Sequence, residues 1–172
     1  GLGDVYKRQV AGAEAEMARL ALAHLQGCRQ VADLFCGVGT FAFRLARHHA
    51  THAVENDASS LAALDRAQRA ASGLKPLTSE RRDLFRRPLT AKELKRFDGV
   101  LFDPPRAGAE AQARQLAESS VRRVVAVSCN PLTLARDARI LVDGDYRLTE
   151  VTPIDQFLWS HHVEAVALFE RV

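Results

Sequence analysis

Short apolar runs, each long enough for one buried strand, alternate along this chain with segments of helical spacing. That alternation restricts the fold more than any other feature. The runs are "VADLF", "THAVEND", "LTSERRDLF", "DGVLFDPPRAG" and "RRVVAVSCNP". A helix is expected from about Ala13 to Leu25, where Met17, Leu20, Ala21 and Leu25 recur at helical intervals before Gly27 stops it. Others follow the glycine turn "CGVGT" through about Arg47, then "SSLAALDRAQRAAS" up to Gly73, "EAQARQLAES", and "LTLARDARILVDG" closed by Gly144. The last two strands, "YRLTEVTPID" and "VEAVALFERV", follow one another without a helical segment. The expected fold is α/β: a Rossmann-like, doubly wound, mostly parallel seven-stranded sheet with an antiparallel last strand. Residues 13–172 form one domain. Residues 1–12, opening "GLGDVYKRQ", match neither period and read as a scar or a truncated edge.

Composition excludes several classes. At 172 residues, 47% hydrophobic and 26% charged, the chain suits a water-soluble domain with a full core. No apolar run approaches the roughly 20 residues that cross a bilayer, so no membrane role is expected. Three cysteines, Cys28, Cys36 and Cys129, make no C-x-x-C pair. They argue against a disulfide framework, a zinc site or an iron–sulfur cluster, and they suit a reducing, cytoplasmic setting. The formal charge of +3 neither requires nor opposes a nucleic-acid partner.

In sheets of this kind ligands bind at the carboxyl ends of the strands, and the unusual polar residues cluster there. Asp33 precedes the turn holding Gly37, Gly39 and Thr40, where glycines let backbone approach a ligand. Ala42 stands where a dinucleotide fingerprint has its third glycine. Glu55 ends the next strand, placed to accept both hydroxyls of a ribose, and Asp83 ends the third. Singly, Asp33 and Asp83 could be helix caps and Glu55 a surface acid. Together at successive strand ends, the acids suit a nucleoside carrying positive charge better than a pyrophosphate, and S-adenosylmethionine is such a molecule.

Two further strand ends carry reactive groups. Asp103 is followed by Pro104, Pro105 and Arg106; the double proline stiffens that turn, and Arg106 replaces the aromatic residue expected for methylation of an exocyclic amine. Cys129, inside Ser128-Cys129-Asn130-Pro131, is a nucleophile candidate at the next strand end. Cys28 and Cys36 read as small buried hydrophobes. His161 and His162 precede the final strand as adjacent residues that make a poor metal pair, and Glu164 can serve as a proton acceptor. These residues alone leave open a methyltransferase on uridine, on another acceptor such as cytosine or protein, and a non-catalytic nucleotide-binding domain.

"DLFCGVGTF", "FDPPRAG", "VSCNPLTLARD" and "DQFLWSHHVE" resemble the catalytic domain of the RNA uracil-5-methyltransferases, from about Val31 to the end. The resemblance implies a class I methyltransferase fold, S-adenosylmethionine as cofactor, and a tRNA or rRNA substrate. It implies Cys129 as nucleophile, Glu164 as base, Asp103 in the active site, and Glu55 and Asp83 on the cofactor. Related cytosine enzymes commonly carry a second cysteine after the double proline, where this chain has Arg106. Phe157-Leu158 and Ser160 depart from the family's Phe-Pro and Thr, and Gln9 lacks the aromatic residue that usually comes before the cofactor-touching glutamine. A monomer is expected, and the resemblance further implies an RNA-binding domain upstream that lies outside this chain.

Overall fold

The computed structural model describes residues 2–155 and 163–172, residues 2–9 by their backbone alone. Its elements alternate as the sequence predicts. They are α1 (Leu2–His24), β1 (Gln30–Leu34), α2 (Thr40–Ala46), β2 (Ala50–Glu55), α3 (Ala58–Ala70), β3 (Leu77–Arg81) and α4 (Ala91–Leu94). There follow β4 (Gly99–Phe102), α5 (Glu110–Ala117), β5 (Arg123–Ser128), α6 (Pro131–Asp143), β6 (Tyr146–Asp155) and β7 (Val163–Arg171). The seven strands lie in the order β3-β2-β1-β4-β5-β7-β6. β1 to β5 pair in parallel, and β7 runs antiparallel between β5 and β6.

Packing divides by strand parity, because successive side chains leave opposite faces of a sheet. On one face Val31, Leu101, Val125, Val127, Val166 and Leu168 pack with Met17 and Ala21 of α1, with Leu25 just after it, and with Phe41 and Leu45 of α2. On the other, Ala32, Leu34, Val100, Phe102, Val124, Ala126, Ala167 and Phe169 pack with Leu94, Leu116 and Leu141 of α4, α5 and α6. Both faces being covered explains why the central strands are mostly apolar rather than alternating, Asp33 in β1 being the buried exception. None of the described helices is long and apolar enough to cross a membrane.

Two elements differ from expectation. The helix expected from Ala13 begins at Leu2, so the opening stretch, which matched neither period, is helical in backbone. Its C-terminal half, anchored by Met17, Leu20 and Ala21, supplies the nucleus, and each added turn then needs no apolar contact of its own. A short α4 was not expected. It is set by a capping box in which Thr90 accepts from the Glu93 N–H and Glu93 accepts from the Thr90 N–H, a T-x-x-E signal visible in the sequence.

Candidate active site

The sheet's strand order reverses between β1 and β4, and a crevice opens at the carboxyl ends there. A cavity of about 620 Å³ fills it, lined by Phe35, Glu55, Asn56, Asp57, Arg81, Arg82, Asp83, Phe85 and the Asp103-Pro104-Pro105 turn, among others. A smaller one, of about 140 Å³, is lined by Glu14, Met17, Thr40, Phe41, Asp103, Val127 and Glu164. Asp103 belongs to both. It therefore joins the nucleoside-sized cleft to the cavity beside the last strand.

Register explains why these side chains meet. Asp33 pairs with Ala53 and with Leu101, so Glu55 and Asp103, two residues on, leave the same face as Asp33. Leu101 pairs with Val125, and Val127 with Val166, which carries the same parity to Cys129 and Glu164. The last antiparallel pair is Ser128 with Ala165, and one further step along that ladder sets Cys129 level with Glu164. Four acids and the thiol thus share the face covered by α1 and α2.

The glycine turn is built by close approach. Gly39 has φ of 97°, and a Cβ there would lie 2.9 Å from the Phe43 ring. The Gly37 N–H donates to Glu55 (2.9 Å), whose other oxygen accepts from the Asn56 and Asp57 N–H groups at 2.8 and 3.1 Å. Glu55 therefore ties β2 to the turn while remaining on the cleft wall. Asp83 lies two residues past β3, not within it, and accepts from the Phe85 N–H (3.0 Å). Phe35, in the left-handed region at φ of 60°, brings its ring against Phe85 with centroids 5.3 Å apart. A non-glycine residue held in that region is a strained feature of the kind that collects at ligand sites.

Depth separates the acids. Asp33, expected at the cofactor, is instead fully buried inside β1, and among the described residues neither oxygen has a partner of full hydrogen-bond geometry. Burial first, and then Asp103, push its carboxyl well above the usual range, with weak relief from the Ala42 N–H. Asp103 is raised to about 7, by burial first and then by Glu164. Arg82, facing the four carboxylates of the larger cleft, is already held by Glu80 and Glu93. Such a lining stabilises positive charge and fits a cationic nucleoside.

The thiol turn is held by its neighbours. Ser128 Oγ donates to the Asn130 carbonyl and accepts from the Asn130 N–H, both at 3.0 Å. Asn130 Oδ1 accepts from the Leu132 N–H (3.1 Å), capping α6, and Pro131 starts that helix where no N–H is needed. Cys129 itself is half-buried; Cys28 and Cys36 are buried. The side chain of Gln9, together with Phe157, Leu158, Ser160, His161 and His162, lies outside the described residues. Sequence reasoning missed Glu14. Its signal was an acid in phase with Met17, Ala18 and Ala21, on the buried face of α1.

The model of the tRNA (Uracil-5-)-methyltransferase family matches residues 8–172. An uncharacterized RNA methyltransferase of Brucella melitensis is 64% identical over 166 residues, covering 96% of this chain and 40% of that protein. A 23S rRNA (uracil(1939)-C(5))-methyltransferase of Hahella chejuensis is 40% identical over 152 residues, 85% of this chain and 34% of that protein. Among solved structures, the Pyrococcus abyssi tRNA (uracil-54, C5)-methyltransferase in complex with S-adenosyl-L-homocysteine superposes with a TM-score of 0.77. It is 29% identical, over 91% of this chain and 38% of that one. The chain thus spans about 40% of the length of curated relatives it matches.

Proposed function

The chain belongs to the tRNA (uracil-5-)-methyltransferase family, and from that premise we propose that it methylates carbon 5 of a uridine in structured tRNA or rRNA through a covalent Cys129 adduct. The observation that carries this reading is that Asp103 and Glu164 line one cavity, Asp103 also lines the larger cleft, and the strand register continues toward Cys129 from the same face. The names of its relatives support the same base and atom.

S-adenosylmethionine, when bound, supplies an electrophilic methyl group on a sulfonium. Glu55 would take its ribose hydroxyls, Asp83 would face the base end of the cleft, and Asp103 would face the cationic end. Gly37, Gly39 and Thr40 shape the turn against it. The glycine turn thus leaves room, and the acids supply the complementary charge.

Carbon 5 of uracil is a weak nucleophile. The Cys129 thiol, after losing its proton to solvent, adds to carbon 6, and the ring electrons move onto the carbonyl oxygen as an enolate. Carbon 5 is then electron-rich and accepts the methyl group, the sulfonium leaving as a neutral thioether. Glu164 removes the carbon 5 proton. Those electrons rebuild the 5,6 double bond and expel the Cys129 thiolate, and Glu164 passes the proton to water. One thiol and one base suffice. Access to the ring needs an unpaired or flipped nucleotide.

RNA containing 5-fluorouracil tests the reading, because fluorine at carbon 5 cannot be removed as a proton and the adduct persists. The wild-type chain with S-adenosylmethionine is expected to form a denaturation-resistant complex with it, and Cys129→Ala none. An Ala variant that still traps the RNA removes Cys129 from the nucleophile's role.

A further inference from the structure

The "LTLARD" stretch after the thiol turn takes no part in that chemistry, yet its polar residues converge on one piece of backbone. Asn130 Nδ2 and Thr133 Oγ1 both donate to the Arg106 carbonyl at 3.0 Å. Arg136 Nη2 donates to the Ala107 carbonyl at 3.0 Å, and the Asp137 carboxylate accepts from the Ala109 N–H at 2.7 Å. Spacings of three and four put these residues on one face of α6. Asp137 is 1% exposed, and Arg136 pairs with it at 2.9 Å.

The grip is tight enough to dictate a residue. A Cβ on Gly108, where φ is +75°, would lie 2.6 Å from Arg136 Nη2, 2.9 Å from Asp137 Oδ2 and 2.9 Å from Thr133 Cβ. Four side chains therefore hold residues 106–109, the continuation of the Asp103-Pro104-Pro105 turn.

Such a grip answers a gap in the sheet. β4 ends at Phe102, opposite Ala126, whereas β5 continues to Ser128. The Asp103 turn and the thiol turn thus leave the sheet about 7 Å apart in height, beyond the ladder that would fix them to each other. The bonds from α6 span that interval, and the thiol turn is the start of α6.

We propose that Asn130, Thr133, Arg136 and Asp137 form a clamp that sets the spacing between the Cys129 thiol and Asp103, with Thr133 and Asp137 as positioning residues for methyl transfer. This rests on the reading of Cys129 as the nucleophile. Displacement of a reacting group by about 1 Å can slow a reaction a hundredfold, so a loosened clamp acts on rate before it acts on stability.

Thr133→Val removes the hydroxyl at nearly constant volume, and Thr133→Ser restores it. In the full chain, Thr133→Val is expected to slow adduct formation with 5-fluorouracil RNA about tenfold. S-adenosylmethionine affinity and melting temperature should stay unchanged, and Thr133→Ser should recover most of the rate. A wild-type rate in Thr133→Val overturns the clamp, as does a rate loss that tracks lost cofactor affinity or that serine does not rescue. Hydrogen exchange distinguishes this from failure of the uridine reading, since it needs no RNA. The clamp requires faster exchange in Thr133→Val at both 104–109 and 128–132, and unchanged exchange at either segment overturns it whether or not the wild-type chain reacts with RNA.

Discussion

Asp103 shows how one carboxyl can serve two cavities and carry a pH dependence of its own. Its folded pKa, raised from 3.8 to about 7 by burial and by Glu164, means that the native state holds the proton more tightly than the unfolded chain does. Its contribution to stability is therefore fully present below the unfolded value and is lost as pH rises through about 7. A shift of that size corresponds to at most about 4 kcal/mol. Asp103→Asn is expected to unfold at higher urea concentration than wild type at pH 8, with the difference closing near pH 4, while methyl transfer is lost. Equal stability of the two proteins at pH 8 would show that Asp103 is not held against its charge. The sequence located this residue but not its depth: Asp33 and Asp103 both sit near strand ends, and only the register reveals that Asp33 lies inside β1 while Asp103 lies beyond β4. A lone sequence position cannot distinguish these cases, because the two-residue difference is set by where each strand stops.

The helices and strands were legible to the extent that they bury apolar surface. Strands β1, β4 and β5 are runs of buried apolar residues, broken only by Asp33, Gly99 and the polar strand ends, so their positions follow from the sequence. The early turns of α1 and all of α4 lack a long apolar period, and β3 is an edge strand with mostly exposed residues that ends at Arg81, short of Asp83. What fixes α1 is its later half. Leu25, fully buried, sits over Gly99, where an added Cβ would lie 2.6 Å from its Cδ2. The end of the helix thereby presses on β4, the strand that leads into Asp103, and α1 contributes Glu14 to the smaller cavity. Leu25→Ala should destabilise the chain by about 2–5 kcal/mol, read from denaturant unfolding. If α1 were a detachable appendage, the variant would unfold at the wild-type denaturant midpoint.

At the scale of the whole molecule, charge is distributed against its proposed substrate. The formal charge is +3, yet Glu55, Asp83, Asp103 and Glu164 line the two cavities at the carboxyl ends of the strands. That concentration was readable from the sequence as acids at strand ends, whereas their convergence on one face needed the pairing register. Bare, this edge would repel the phosphates of an RNA whose uridine, on the proposed reading, approaches Cys129. A cationic cofactor in the cleft removes part of that repulsion, so cofactor and RNA should bind cooperatively, each raising the affinity of the other by the same factor. A short uridine-containing RNA, followed by fluorescence anisotropy at low salt, is expected to bind about fivefold more tightly with a saturating non-transferring analogue that bears positive charge at the sulfonium position than with S-adenosylhomocysteine. Because the two ligands differ mainly in that charge, the gap should narrow as ionic strength rises and the Debye length falls below about 10 Å. Equal RNA affinity with both ligands at low salt would mean that the acidic edge is neutralised by some group other than the cofactor.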